Sequence, residues 1–195
     1  MMWDPIRFLE SCPSSDGACA VVLTDEDGGN AAAAAGRPPA WILGASSRSE
    51  PPSFPGRDPV RPRACIVCAE DVYTQAGITD PRTQIDTAEL YVPFSWHEAI
   101  WLEGHDIAAP GEGWKMIDDG ETEIGGSFPV NCSGGVLSSN PIGASGMVRF
   151  GEAAQQVRGR AGDYQVELKT GKALGHAYGG GSQFYSMWVV GRDKP

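Results

Sequence analysis

The central stretch of this chain is Val130-Asn-Cys-Ser-Gly-Gly-Val-Leu-Ser-Ser-Asn-Pro-Ile-Gly-Ala-Ser-Gly146, a run of glycines and small hydroxylated residues. Glycines this close together let a backbone form positive-φ turns and approach a ligand closely. Apolar residues recur at helical spacing directly after it, so we predict a helix over residues 146–158. A glycine-rich loop that leads into a helix presents free N–H groups and the positive end of the helix dipole. The loop is therefore the predicted ligand site.

Two strands are predicted on the C-terminal side of this loop. Residues 164–168 alternate between apolar and polar side chains, and residues 184–190 are apolar and rich in residues that favour strands. Between them, residues 174–183 form a second predicted Gly-rich loop. Its histidine, His176, is the titratable candidate of that loop. His176 either takes part in proton transfer or is a structural or exposed loop residue.

The N-terminal side supplies the remaining predicted elements. Segments that are apolar, or that alternate between apolar and polar residues, predict strands over residues 18–23, 40–46, 85–91 and 128–131. The first of these, residues 18–23, could also be the end of a helix that leads into a strand. Helical patterns cover residues 63–76 and 94–102. Segments rich in Gly, Pro or Asp predict loops over residues 30–39, 49–63 and 108–126. This order of elements predicts an α/β fold in which helices cover a mixed sheet.

Length and charge narrow the classes of function. A chain of 195 residues suits one domain, and its formal charge of −10, without a Lys/Arg cluster, argues against nucleic acid and anionic membranes as partners. No apolar run approaches the roughly 20 residues that span a bilayer. The N-terminus lacks the layout of a signal peptide, so the predicted location is cytoplasmic.

The five cysteines do not predict a disulfide framework, because their number is odd and their spacing irregular. Cys65 and Cys68 have CxxC spacing, but no second Cys or His pair follows at zinc spacing. We therefore predict no metal site and interpret both thiols as buried small apolar groups.

Four stretches, in order along the chain, together resemble the C-terminal half of a thiolase. They are residues 12–23, 86–94, 131–135 with 139–146, and 176–181. The resemblance is to the sterol-carrier-protein-type branch, whose actinobacterial members are often named lipid-transfer proteins. It implies that residues 1–195 form a thiolase-like C-terminal domain, one half of a layered αβαβα fold.

The resemblance also implies a function. Thiolases carry their nucleophilic cysteine in the N-terminal half, and none of the five cysteines here has a matching context. The resemblance thus implies a fragment, a truncated product or one part of a split enzyme, inactive without an N-terminal half. The implied reaction is acyl transfer, or retro-aldol C–C cleavage, on an acyl-CoA in lipid or steroid degradation.

The catalytic positions depart from the thiolase pattern. By resemblance, Tyr91 stands where the family has Asn or His, Asn140 replaces the histidine that activates the nucleophile, and Ala177 replaces the second cysteine. An amide or a methyl group does not transfer protons near neutral pH. Some relatives act as retro-aldolases through tyrosines, which makes Tyr91 and Tyr178 catalytic candidates beside Asn140 and His176. The alternative is that Tyr91 only packs and Asn140 only binds local backbone.

The resemblance further implies a substrate-binding set and partners. The set comprises Gly135, Gly143, Ser145, Gly179, Gly180 and Gly181. The expected ligand is an acyl-CoA thioester, as substrate, with no other cofactor. Expected assemblies are a homodimer, or a complex with an N-terminal thiolase half or a partner subunit. A non-catalytic acyl-CoA- or lipid-binding module is the alternative function.

Overall fold

A four-stranded mixed sheet forms the centre of the computed structural model, which describes residues 2, 4–52 and 55–195. Its strands are β1 (Trp41–Ser49), β2 (Thr87–Glu89), β3 (Lys172–Gly179) and β4 (Phe184–Gly191). They lie in the order β1-β4-β3-β2. β4 is antiparallel to both of its neighbours, and β2 is parallel to β3. The predicted mixed sheet is therefore confirmed.

The helices of the described residues are α1 (Glu26–Ala34), α2 (Arg63–Ala76), α3 (Pro81–Gln84), α4 (Trp96–Gly104), α5 (Gly113–Asp118), α6 (Gly135–Ser138) and α7 (Ser145–Val157). Two short 3₁₀ turns, Phe8–Glu10 and Gly162–Tyr164, complete the elements. α2, α4 and α7 confirm the three helices predicted from apolar spacing. No helix within these described ranges is long and apolar enough to cross a membrane.

The sheet separates two apolar clusters, because successive strand residues point to opposite faces. On one face, Leu174 and Tyr178 of β3 belong to the cluster that contains the buried residues of α2 and α4. On the other face, Ala173 and Ala177 of β3 belong to the cluster of α7. Each large apolar side chain buried in these layers contributes about 1.5–3 kcal/mol. The result is a helix–sheet–helix sandwich, which confirms the predicted α/β architecture.

Residues 30–34, the first half of the segment predicted as a loop, belong to α1 instead, whereas residues 35–39 are irregular. The Asp25 carboxylate accepts a hydrogen bond from Gly28 N at 3.0 Å and caps the helix. Glu26 and Asp27 stabilise the positive end of the helix dipole, and the run of alanines has high helix propensity. The flanking glycines favour a loop, but the Asp25 cap and the helix propensity of the alanines outweigh them.

The predicted strand over residues 18–23 is wrong, since this segment is irregular and pairs with no described strand. Val22 is 94% exposed and Leu23 is 71% exposed. A single apolar run forms a strand only when another strand satisfies its backbone groups. None of the four strands of this sheet pairs with residues 18–23.

The predictions near the C-terminus also need correction. Residues 174–183, predicted as a Gly-rich loop, supply most of β3 and the turn into β4, whereas residues 164–168 contain no strand. Gly175 is required by packing, because a Cβ there would lie 1.8 Å from Trp188 Nε1 on the neighbouring strand. Gly175 therefore leaves room for the indole of Trp188 to pack across β3, and it does not make this segment a loop.

The remaining loop predictions are mixed. Residues 108–126 contain α5, and residues 128–131 supply one parallel bridge, from Val130 to Ala88, in place of a strand. The predicted strand at 40–46 is confirmed as β1. Of the predicted loop over 49–63, the first residue ends β1 and the last begins α2. The described residues between them contain no regular element, while residues 53 and 54 lie outside the described residues.

Candidate functional site

The predicted catalytic tyrosines meet at one edge of the sheet. β2 and β3 run parallel, so their carboxyl ends lie side by side. Tyr91 follows β2 by two residues, and Tyr178 is the penultimate residue of β3. Their rings contact edge to face, with centroids 5.3 Å apart. Crevices at the carboxyl ends of parallel strands are frequent ligand sites in α/β proteins.

Asn140 connects Tyr91 to the start of α7. Tyr91 Oη donates to Asn140 Oδ1 at 3.0 Å, and Ser145 Oγ donates to the same oxygen at 2.7 Å. Because an amide oxygen accepts and an amide nitrogen donates, two hydroxyl donors at one atom fix the orientation of the amide. Asn140 Nδ2 therefore points the other way and donates to Cys12 Sγ at 3.1 Å. The three side chains Tyr91, Asn140 and Ser145, named here the amide cluster, are all buried.

Both site tyrosines are phenols and not phenolates at neutral pH. Burial raises the pKa of Tyr91, although its hydrogen bonds with Ser145 and Asn140 oppose the rise. Burial also raises the pKa of Tyr178 well above its ordinary value. The two groups are consequently hydrogen-bond donors and proton sources, not ready bases.

The glycine-rich loop is shaped by left-handed residues. Asn131 has φ 52°, and Gly134 and Gly135 have φ 90° and 58°. The turn brings Asn131 Oδ1 within 2.7 Å of Leu90 N, which attaches the loop to the residue before Tyr91. Gly135, predicted to bind substrate, is buried in this turn at the start of α6.

A buried ion pair lies behind the loop and was missed by sequence reasoning. Arg149 Nη1 contacts Glu89 Oε2, and both residues are almost fully buried. Ser133 Oγ donates to Glu89 Oε2 at 2.8 Å and accepts from Arg149 Nη1 at 2.8 Å. Burial raises the pKa of Glu89, and the positive charge of Arg149 opposes that rise. The pair connects β2 to α7 and supports the loop between them.

The burial of Arg149 could have been predicted from the spacing of residues along α7. Ser145, Arg149, Ala153 and Val157 recur every four residues, and all four are buried on one face of α7. An arginine on an otherwise small and apolar face indicates a buried acidic partner. The acidic residue of the adjacent β2 strand is Glu89.

The other predicted site residues lie in the loop before α7, in the turn after β3 and within β3. Gly143 has open space where a Cβ would be, in the loop before α7. Gly179 ends β3, and Gly180 and Gly181, with φ of 63° and 60°, form the turn into β4. His176 was predicted in a loop but is fully buried in β3, where burial holds its pKa well below its ordinary value.

Two residues at the site had no predicted role there. The sequence places Cys12 in one of the four thiolase-like stretches without predicting a role for it, yet its Sγ accepts a hydrogen bond from the Asn140 amide. His97 of α4 stacks on Tyr178, with ring centroids 5.4 Å apart. Ser15 N, in the segment after Cys12, also donates to the Asn140 carbonyl at 3.4 Å. The N-terminal segment therefore lies across Asn140.

The sequence profile described as "Thiolase C-terminal domain-like" matches residues 49–192. The chain belongs to this family. The thiolase-like C-terminal domain is 34% identical over 169 residues to an acetyl-CoA acetyltransferase of Methanothermobacter thermautotrophicus, covering 86% of the chain and 43% of that relative. It is 29% identical to sterol carrier protein 2 of Homo sapiens, covering 97% of the chain and 35% of that relative.

Solved structures agree with this assignment. The thiolase-like C-terminal domain matches a chain of the Ltp2-ChsH2(DUF35) aldolase with a TM-score of 0.68 and 28% identity, over 79% of the domain and 40% of that chain. A monomeric SCP2-thiolase like protein type 1 from Mycobacterium smegmatis shares the fold, with a TM-score of 0.53 and 18% identity, over 84% of the domain and 31% of that chain. The predicted sterol-carrier-type resemblance is confirmed. The domain spans less than half the length of these curated relatives.

Proposed function

We propose that this chain is the C-terminal domain of a thiolase-like acyl-CoA enzyme, and that its amide cluster binds the thioester carbonyl of the substrate. Family membership supports this class, as do relatives named acetyl-CoA acetyltransferase and benzoylsuccinyl-CoA thiolase subunit. The observation that carries the proposal is the fixed Asn140 amide. Two hydroxyl donors occupy its oxygen, and one of its two N–H groups donates to Cys12 Sγ. Its second N–H is therefore the group offered to a carbonyl oxygen.

Within this class we favour retro-aldol cleavage over acyl transfer. Asn140 offers no proton acceptor where a thiolase uses histidine, and the 28% identical structural neighbour is an aldolase. In this reaction the β-hydroxyl loses its proton, its electrons form a carbonyl, and the Cα–Cβ bond breaks. The electron pair of that bond enters the thioester as an enolate, which is then protonated at Cα.

The side chains at the sheet edge suit the enolate half of this reaction. The Asn140 N–H is a donor for the developing negative charge on the thioester oxygen. Tyr91 and Tyr178 are protonated phenols, and either can supply the proton that Cα gains. Tyr91 does so after its hydroxyl turns from Asn140 Oδ1 to the substrate, while Ser145 keeps the amide in place. The proton of the β-hydroxyl passes to solvent, and the phenolate left after protonation of Cα takes a proton back from solvent. The protons therefore balance, and no oxidant or reductant is needed.

The test is to combine the full chain with a thiolase N-terminal half that carries the nucleophilic cysteine. A 3-hydroxyacyl-CoA with a tertiary hydroxyl group serves as the probe, and chromatography quantifies the ketone and the shortened acyl-CoA. We expect both products in equal amounts. Thiolysis of a 3-ketoacyl-CoA without any retro-aldol cleavage would instead favour acyl transfer.

Tyr91→Phe tests the role of the phenol. We expect the cleavage rate to fall by about 100-fold or more, the size of a general acid contribution, with little change in acyl-CoA binding. Tyr164→Phe is the matched control, because its hydroxyl donates to Glu152 and not to the amide cluster. Full activity in Tyr91→Phe would remove this residue from the mechanism.

A non-catalytic acyl-CoA-binding module, or a partner subunit of a thiolase-like complex, is the second candidate. The observation in its favour is the N-terminal segment that lies across Asn140, with Ser15 Oγ 3.0 Å from Ser139 Oγ. This segment restricts access to the amide cluster. Acyl-CoA binding without turnover, even after addition of the second half, would favour this candidate.

A further inference from the structure

Two histidines in the core, His105 and His176, have no hydrogen-bonding partner for any ring nitrogen among the described residues. Both residues are 0% exposed. A buried polar group without a partner costs about 1–3 kcal/mol, and each neutral imidazole carries one donor and one acceptor. Proteins rarely leave such groups unsatisfied. Four unpartnered nitrogens in one place indicate that a ligand satisfies them.

A buried thiol completes the group. The two imidazole rings contact edge to face, with centroids 4.8 Å apart. Cys65 is also 0% exposed, and one ligand atom each from Cys65, His105 and His176 lies within 4.8 Å of the other two. The three residues come from distant parts of the chain, so sequence spacing gives no sign of them.

Regular structure holds the three residues in place. Cys65 lies in the first turn of α2, His105 directly follows α4, and His176 lies within β3. The backbone of His105 is bound on both sides, since its N–H donates to the Trp101 carbonyl at 2.9 Å and its carbonyl accepts from Tyr73 Oη at 2.7 Å.

Gly104 allows the thiol to reach this position. A Cβ at Gly104 would lie 2.9 Å from Cys65 Sγ, closer than Cβ atoms come to other heavy atoms. The absence of a side chain at the end of α4 therefore lets the thiol lie beside His105.

We propose that Cys65, His105 and His176 bind one Zn²⁺ ion in the core between α2, α4 and β3. A thiolate and two imidazoles are a ligand set that zinc prefers, with bonds of about 2.3 Å to sulfur and about 2.0–2.1 Å to nitrogen. Neighbouring ligand atoms of a tetrahedral site are then roughly 3.3–3.6 Å apart. Because the three atoms already lie within 4.8 Å of one another, binding draws them together by at most about 1.5 Å. A water molecule completes the fourth position.

The protonation states suit the metal. Burial lowers the pKa of His105 to about 3, so its lone pair is free at neutral pH. Burial raises the pKa of the Cys65 thiol, and the metal has to displace this proton. Binding of one ion therefore releases one proton from Cys65 to solvent, and the thiolate cancels half of the ionic charge.

The other thiol of the CxxC pair provides a matched control. Cys68 is also buried, but its Sγ donates to the Ser46 carbonyl at 3.3 Å and is not part of the group. Cys65→Ser and Cys68→Ser each remove one buried thiol from α2. Only Cys65→Ser removes a proposed ligand, so a loss that both variants share would reflect packing and not metal binding.

The experiment measures zinc in the full chain purified without chelators and after equilibration with Zn²⁺. We expect about one ion per chain in the wild type and in Cys68→Ser, and a decrease of about tenfold or more in Cys65→Ser. Equal zinc contents in the two serine variants would overturn the proposal, as would a wild type that binds no zinc. The outcome does not depend on the proposed function.

Cobalt substitution keeps the proposal testable if Cys65→Ser does not fold. The wild type loaded with Co²⁺ should show a thiolate-to-cobalt charge-transfer band and the visible bands of tetrahedral cobalt, together with release of one proton per ion. Buried water that bridges the two imidazoles, without metal, is the competing explanation. Absence of the charge-transfer band in folded wild-type protein would reject the metal site.

Discussion

At the scale of single residues, the amide of Asn140 has an orientation set by its neighbours. Tyr91 and Ser145 donate to its oxygen, and its nitrogen faces Cys12. The residue type was singled out from the resemblance, but its partners come from three separate segments. Sequence reasoning therefore identified the residue without predicting its hydrogen bonds.

Asn140→Ala should lower the free energy of unfolding by about 2–4 kcal/mol, because it leaves two buried hydroxyl donors without their acceptor. Ser139→Ala is the control, since Ser139 is exposed, and we expect a change within about 0.5 kcal/mol. Urea unfolding of both variants measures the difference. Equal losses would show that the amide cluster adds little to stability.

Cys132 should react slowly with alkylating reagents despite its place in the glycine-rich loop. Burial, followed by the negative charge of Glu89, raises the pKa of this thiol to about 11, so roughly one thiol in a thousand is ionised at pH 8. Its reaction rate should keep rising with pH beyond the range in which an ordinary thiol reaches its plateau. Iodoacetamide labelling followed by mass spectrometry, with half-buried Cys12 as the comparison, measures this. A plateau of Cys132 near pH 9 would contradict the prediction.

At the scale of elements, the contact between α7 and β3 positions the site. A Cβ at Gly146 would lie 2.8 Å from Ala177 Cβ, so the start of α7 touches the strand directly. Ala177 stands where the resemblance expects a cysteine. Close approach of these two small residues places Ser145, at the start of α7, within hydrogen-bonding distance of Asn140.

Gly146→Ala should destabilise the domain by about 1–3 kcal/mol, because the new methyl group pushes α7 away from β3. Gly143→Ala is the matched control in the same loop, since open space surrounds its Cβ position. We expect its free energy of unfolding to stay within about 0.5 kcal/mol of the wild type. Thermal or urea unfolding distinguishes the two, and a neutral Gly146→Ala would show that α7 relaxes freely.

The elements that sequence predicted well are those whose pattern is local. The helices α2 and α7 have apolar residues at helical spacing, and β4 is a continuous β-prone run. β3 was predicted as a loop because of its glycines, but Gly175 is set by the indole of Trp188 on the adjacent strand. Such a contact between strands is invisible until the register is known.

At the scale of the whole molecule, apolar side chains remain exposed near the N-terminus. Phe8, Leu9, Val22 and Leu23 are each more than 70% exposed, and residues 18–23 form no strand. Large exposed apolar patches are typical of surfaces that bind another protein. The predicted homodimer, or a complex with a second thiolase half, would cover them, and both remain predictions.

The isolated chain should self-associate at tens of micromolar because of this surface. Val22→Asp should shift the distribution towards monomer, since it replaces one of these exposed apolar side chains with a charged one. Val60→Asp is the control, because Val60 is also exposed but lies in the segment directly before α2. Sedimentation velocity measures the change. A wild type that is a compact monomer at this concentration would contradict the prediction.

The family, the mixed α/β architecture and the residue types at the sheet edge were all predictable from the amino-acid sequence. Helical spacing and short motifs involve residues that are close in sequence, so they can be recognised without knowledge of the structure. The tertiary structure alone decided which side chains meet: Asn140 with Tyr91 and Ser145, Glu89 with Arg149, and Cys65 with two histidines. Each of these groups joins segments distant along the chain, and only the packing of both helix layers onto the sheet brings them within contact distance.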